Sequence, residues 1–366
     1  MLKAPPFRFG WRELHLWASM IMALPLLFVI ITGLLLQVRQ LPGFEWIQPA
    51  TANGSARDEP TLSHADLLKA VAAVPEMRVQ SWTDIKRLDL RPRNGSIKVL
   101  SAHALHEVQV DAKTGQIVAS LPRRSDWFEA LHDWTFMGAR LWLGVPVAIV
   151  YLGLSITGIV LAYRVIKRMI GEAKAGYKPP RKPGFTEWCW RHHWWISLIV
   201  LLPWTLVAVT GVGLQLREEL KFVQAERNVS AELGQMPRKT WNEVLAATSE
   251  HKDASQVTRW RDVRRVYYYT DRNMFEVMSR NDPPWETQID GSTGRMMSIT
   301  YRNKDIWEQL HEGNLEIIGV GGFQVHYWVF IPVHIVSMIL WLTGLMMGLR
   351  AFIATPTPAR RTQLAE

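Results

Sequence analysis

Four histidines stand at repeated positions in this chain. His15 and His193 lie 178 residues apart, each at the mouth of a long apolar run, in "ELHLW" and "RHHWW". His132 and His311 lie 179 apart, in "ALHD" and "QLHE". Neutral imidazole is a good ligand for transition metals. Two imidazoles at one depth on opposing helices can take both axial positions of a b-type haem iron. A lone histidine at a membrane edge is ordinarily an interfacial hydrogen-bonding residue. Two symmetric pairs carry more weight, because ionisable groups inside membrane segments are functional by default. The single cysteine, Cys189, and the lack of any C-x-x-C-H motif exclude a disulfide within the chain and covalent c-type haem attachment. Metal chemistry must therefore rest on histidine.

The elements that place these residues repeat as well. With His15 laid on His193, Trp17 falls on Trp195, Pro25 on Pro203, Thr32-Gly33 on Thr210-Gly211 and Gln37 on Gln215. "VQVDAKTGQIVAS" (108–120) resembles "TQIDGSTGRMMSI" (287–299), each reading as strand, glycine turn, strand. Ser63 with Asp66, and Thr240 with Glu243, form capping-box patterns ahead of apolar runs. Further on, "PVAIV" matches "PVHIV" and Thr157-Gly158 matches Thr343-Gly344, now at offset 186, so the second half has gained seven residues. The added segment includes "GVGGF", which does not follow a strand as a nucleotide fingerprint should.

The chain has 366 residues, 48% hydrophobic, with 18 Trp and a formal charge of +9. Four windows, 14–37, 141–163, 194–216 and 328–349, are long enough for a hydrocarbon core that needs about 20 apolar residues. The first has no small-residue cleavage site before "QVRQLPG" and reads as a retained helix rather than a signal peptide. Basic residues decide orientation. The loop 164–187 holds Arg164, Lys167, Arg168, Lys174, Lys178, Arg181 and Lys182; the segment 1–13 holds Lys3, Arg8 and Arg12; the tail 350–366 holds Arg350, Arg360 and Arg361. All three then face the cytoplasm, and the insertions 39–135 and 217–324 face the periplasm of a bacterial inner membrane. The positive charge sits where this rule wants it, and no nucleic-acid partner is expected.

The expected fold is thus a membrane protein of four transmembrane helices in two parallel, pseudo-symmetric repeats, each with an α+β periplasmic domain. Parallel repeats turn about an axis along the membrane normal, so equivalent residues lie at one depth. His15 and His193 would hold a haem near the cytoplasmic face, and His132 and His311 a second near the periplasmic face. The 17 residues from His15 to Thr32 span about 25 Å of helix, so two haems would bridge most of the insulating layer. His334 lies inside the fourth helix opposite Ala148 of the first half, and is either a further ligand or a packed polar residue. His326 reads as interfacial, and His192 ranks behind His193. Trp188, Trp190, Trp194 and Trp195 suit an aromatic belt better than an electron path. Pro25 and Pro203 are expected to kink their helices.

These residues resemble the PepSY-associated transmembrane family over almost the whole chain, through "ELHLWASMIMALPLLFVIITG", the "DAKTG" and "DGSTG" hairpins, "ALHDW", "QLHEG" and the closing Thr-Gly helices. Within it they are most similar to the inner-membrane ferrisiderophore reductases of the FoxB type. One departure is His192, which precedes His193 where the family has a single histidine. The resemblance implies PepSY-like periplasmic domains, two haem b groups held by His15, His193, His132 and His311, and reduction of periplasmic ferric siderophore to release Fe(II). One added electron softens the metal and weakens its hold on hard oxygen ligands. The chain has no flavin or nicotinamide domain, so electrons must come from quinol or a cytoplasmic donor. Two other readings are a haem-free regulator binding a periplasmic peptide or peptidase, and an electron donor to another periplasmic redox protein. A siderophore permease is disfavoured, since the four helices lack paired interruptions.

Overall fold

A long apolar segment is stable in a bilayer only when its backbone N–H and C=O groups are paired internally, which a helix achieves. The computed structural model describes residues 10–39, 41–55, 57–176, 185–281, 284–314 and 325–353. In chain order, α1 (Trp11–Ile21) and α2 (Ala23–Val38) precede a first insertion with α3 (His64–Ala72), β1 (Ile85–Arg91), β2 (Ser96–Ser101), β3 (His106–Asp111), β4 (Ile117–Pro122) and α4 (Ser125–His132). Then come α5 (Val145–Lys174) and α6 (Phe185–Gln215). The second insertion holds α7 (Trp241–Ser249), α8 (Lys252–Ser255), β5 (Val263–Tyr269), β6 (Met274–Ser279), β7 (Trp285–Asp290), β8 (Met296–Tyr301) and α9 (Asn303–Glu312), before α10 (Ile331–Ile353). Lys3, Arg8, Lys178, Arg181, Lys182, Arg360, Arg361 and the run 319–323 lie outside the described residues.

Two compact units result. The helical unit draws on Met1–Gln37, Ala130–Leu216 and Gln309–Glu366. Its spans at Arg140–Lys174, Trp188–Gln215 and His326–Ala351 are each long and apolar enough to cross a membrane; α1 and α2 make a fourth if the bent pair is one crossing. The bend is 67° at Met22, three residues before Pro25, which has no N–H to bond Ile21 and whose ring crowds that carbonyl. By contrast, α6 continues unbroken through Pro203. Of the two prolines expected to kink their helices, Pro25 follows a break, and Pro203 lies within a continuous helix. Single π turns, Arg140–Gly144 and His326–Phe330, open the second and fourth spans at equivalent positions just before Pro146 and Pro332. A wide turn there makes room for a proline that a regular helix would resist. Within the unit α5 packs on α1 and α6, and α10 packs on the same two helices.

The second unit consists of Val38–Glu129 and Arg217–Glu308. The sequence led us to expect two domains, 39–135 and 217–324. Instead both insertions build one antiparallel sheet of order β4-β3-β2-β1-β5-β6-β7-β8, and residues 130–135 and 309–314 belong to the helical unit. The halves join where β1 pairs with β5. There Asp89 faces Tyr267, which is its own equivalent 178 residues later, so the sheet's pseudo-twofold axis passes between them. A strand edge exposes unpaired backbone groups, and joining two inner edges removes both.

One sheet face is apolar. Leu88, Leu90, Val99, Val108, Val266, Phe275 and Ile289 pack against Leu67 and Val71 of α3 and Trp241 and Val244 of α7. Burial of each such side chain contributes about 1.5–3 kcal/mol. Thr240 and Glu243 close the full capping box, and the Thr240 backbone N–H is the main reason the Glu243 carboxyl falls to about 2. In α3, Ser63 accepts from the Asp66 N–H, but the shorter aspartate bonds the Ser63 hydroxyl instead of reaching the backbone. Both hairpin turns form as expected: Asp111 and Asp290 each accept two backbone N–H bonds from within the turn, and Gly115 and Gly294 adopt φ of +75° and +74°.

The other sheet face is polar yet buried, with Lys98, Asp89, Tyr267, Glu276 and Gln288 in one cross-strand row. Its halves have diverged. In the first, Lys98 lies 3.2 Å from Glu107, which also binds Arg123. In the second, the position of Lys98 is occupied by Glu276, and both Glu276 and Glu286 converge on Arg302. Burial first, and then the Glu276 carboxylate, push the Glu286 carboxyl above its usual range in spite of Arg302.

Candidate functional site

Each of the four paired histidines sits on a helix and reaches across to a spanning helix of its own half. His15 Nδ1, one turn into α1, lies 2.7 Å from Thr157 Oγ1 on α5. His193 Nδ1, on α6, lies 2.9 Å from Thr343 Oγ1 on α10. His132 Nδ1, the last residue of α4, lies 3.1 Å from Thr32 Oγ1 on α2. His311 Nδ1, near the end of α9, lies 3.0 Å from Thr210 Oγ1 on α6. All four threonines are buried.

The tautomer follows from the threonines. Thr157, Thr343, Thr32 and Thr210 donate their hydroxyl protons to carbonyl oxygens one turn back in their own helices, at 2.9, 2.9, 2.6 and 2.7 Å. Their oxygens are therefore left to accept, and Nδ1 must carry the hydrogen. At His132 and His311 this is reinforced by the Val29 and Val207 carbonyls, each 3.1 Å from Nδ1, which can only accept. A neutral imidazole with its hydrogen on Nδ1 has its lone pair on Nε2, the state a metal ligand needs.

A glycine completes each contact. A Cβ placed on Gly344 would lie 3.3 Å from His193 Cε1, on Gly211 3.3 Å from His311 Cε1, on Gly33 3.2 Å from His132 Cε1, and on Gly158 4.0 Å from His15 Cε1. At three of the four, even a methyl group would crowd the ring.

The histidines also meet across the halves. The rings of His132 and His311 have centroids 6.1 Å apart and planes inclined by 61°. Two imidazoles on opposite sides of one metal, with bonds of about 2 Å, place their ring centres about 6 Å apart. Among the described residues no group of three or more His, Cys, Asp or Glu is placed to hold a metal ion. Two-nitrogen sites of this kind suit iron that brings four equatorial nitrogens of its own, so the residues fit a haem.

Three other histidines differ from these. His334 bonds the Phe330 carbonyl through Nδ1 at 2.9 Å, and its Nε2 faces Gly33, the residue against which His132 packs. It is thus a third imidazole beside the outer pair. His326 has both nitrogens against carbonyl oxygens, Glu312 at 2.7 Å and Gln37 at 3.1 Å, and is a staple rather than a ligand. His192 is exposed, bonds the Trp188 carbonyl and stacks on the Trp188 ring 4.2 Å away, apart from the work of His193.

The threonines and glycines are what sequence reading did not connect to the histidines. The signal was present, since Thr-Gly occurs once in each of the four apolar windows, but each pair serves a histidine from another helix. The family model of the PepSY-associated TM region matches residues 12–188, which include His15, His132 and their two Thr-Gly pairs. No curated protein matches the chain.

Proposed function

Because residues 12–188 belong to the PepSY-associated TM family and the second half repeats their plan, we propose that this membrane protein carries electrons through two b-type haems. His15 with His193 hold one group and His132 with His311 the other. The observation that carries the reading is the common geometry of the four rings: each turns Nδ1 to a buried threonine on a spanning helix. Bound there, the haem iron supplies one-electron chemistry. The chain's own contribution is orientation, tautomer and the exclusion of water by the packed helices. On α6, which is unbroken, the levels of His193 and Thr210 are 17 residues apart, about 25 Å. That separation is consistent with one haem toward each membrane face in this reading.

The acceptor in this reading is a ferric siderophore in the periplasm, as in the reductases that the sequence resembles, with electrons from quinol or a cytoplasmic donor. The protein then sits in the inner membrane with both termini in the cytoplasm. His334, beside the outer pair, is a reserve ligand at that site.

An absorption spectrum of the purified protein tests the haem reading: a low-spin bis-histidine spectrum with two haems per chain is expected. Absence of haem in protein made under haem-replete conditions would overturn it in favour of a peptide-binding regulator. Stopped-flow mixing of the reduced protein with ferric hydroxamate tests the acceptor. Fast reoxidation is expected. Unchanged reduced haem would leave the electron path and move the acceptor to a periplasmic redox protein.

A further inference from the structure

Threonine and glycine in spanning helices ordinarily need no special role. The hydroxyl bonds back to a carbonyl one turn earlier, and glycine lets helices approach. Ser155 and Ser337 show that ordinary use here, bonding the Tyr151 and Val333 carbonyls at 3.3 and 2.7 Å. The four Thr-Gly threonines make the same backward bond, yet each oxygen is also met by a ring nitrogen within 3.1 Å. Close packing alone has no reason to place a histidine on every one.

We infer that Thr32, Thr157, Thr210 and Thr343 are positioning residues that set the electron donation, and hence the reduction potential, of the iron bound by the histidine each one holds. This rests on the haem reading above. An acceptor at Nδ1–H increases the basicity of the imidazole and the donation from Nε2. Stronger donation stabilises the ferric state, so hydrogen bonding around the ligand is a lever on potential. The following glycine is the second part of the device, because the space it leaves brings the ring within reach of the oxygen. Each clasp lies within one half of the chain, while each haem takes one ligand from each half. Two clasps therefore act on every iron, one from each side.

The test uses the full-length protein and optical redox titration. Thr157→Val keeps the shape of the side chain and removes the acceptor for His15. It should shift the midpoint of one haem upward, leave the other in place, and weaken haem retention about ten- to a hundredfold. Thr343→Val, acting on the opposite ligand of the same iron, should move the same haem in the same direction. Thr157→Ser restores the oxygen and should restore the wild-type midpoint. Ser155→Val, a buried hydroxyl on the same helix, is the control and should move neither haem. An unmoved midpoint in both valine variants with normal haem content would overturn the inference and leave the haem reading intact. A shift in Thr157→Ser as large as in Thr157→Val would also overturn it. Wild-type protein without haem overturns both.

Discussion

His132 and His311 approach to a ring separation of 6.1 Å although they stand 179 positions apart in the chain. Neither belongs to a spanning helix. Each ends or nearly ends a short helix, α4 or α9, and each is fixed by a threonine on the first spanning element of its half, Thr32 or Thr210. The pair therefore depends on four separate segments holding register.

Substitution of either member should be specific. His132→Ala or His311→Ala is expected to remove about half of the bound haem, or convert it to high spin, since loss of one axial ligand opens the iron. His326→Ala and His192→Ala should keep both haems, because both nitrogens of His326 face backbone carbonyls and His192 is exposed and stacked on Trp188. Haem-to-protein ratios and the reduced spectra of the four variants decide this. Full haem in His132→Ala and His311→Ala, with loss in a His334→Ala protein, would transfer the outer ligand to α10.

The diverged halves of the sheet should respond oppositely to one chemical change. Glu107→Gln leaves Lys98 buried without its carboxylate and takes from Arg123 one of two, Asp126 remaining; breaking such a buried pair costs about 3–5 kcal/mol. Its unfolding midpoint should fall sharply. Glu286→Gln at the equivalent position should raise the midpoint at pH 8. The Glu286 carboxyl is held above its usual range by burial and by Glu276, so the fold favours its neutral form. That stabilisation is complete below the unfolded glutamate value of about 4.3 and is lost as pH rises through the folded value. The advantage of the glutamine variant should therefore vanish toward pH 4. Thermal melts of the detergent-solubilised variants between pH 4 and 8 measure both effects; a midpoint lowered at pH 8 in Glu286→Gln would contradict this account.

Orientation is testable without purification. Alkaline phosphatase fused after residue 100 or 270 should be active, and green fluorescent protein fused at the carboxyl end should fluoresce. Both insertions connect the same ends of successive spans, so the two phosphatase fusions must agree if α1 and α2 form one crossing. An active fusion at 270 with an inactive one at 100 would make the bent pair a re-entrant segment.

Local chemistry is what the sequence by itself determined. Apolar length located the spans, because about 20 residues must pair their backbone internally to cross a bilayer. Aspartate and glycine at fixed offsets dictated both hairpin turns, whose bonds run within five residues. The internal repeat named the four histidines, since equivalent positions in a parallel repeat must occupy equivalent sites. Tertiary structure alone decided the rest, for reasons of distance along the chain. Whether two inserted sheets stay apart or fuse depends on edge pairing, and nothing within β1 announces that Asp89 will face Tyr267. The 67° break at Met22, against an unbroken helix at Pro203, separates two prolines that read alike, because what surrounds a proline governs whether its helix gives way. Above all, the tautomer of each histidine is set by a threonine 100 to 150 residues distant. A sequence can repeat Thr-Gly four times in view of the reader, but only folding brings each oxygen to a particular nitrogen.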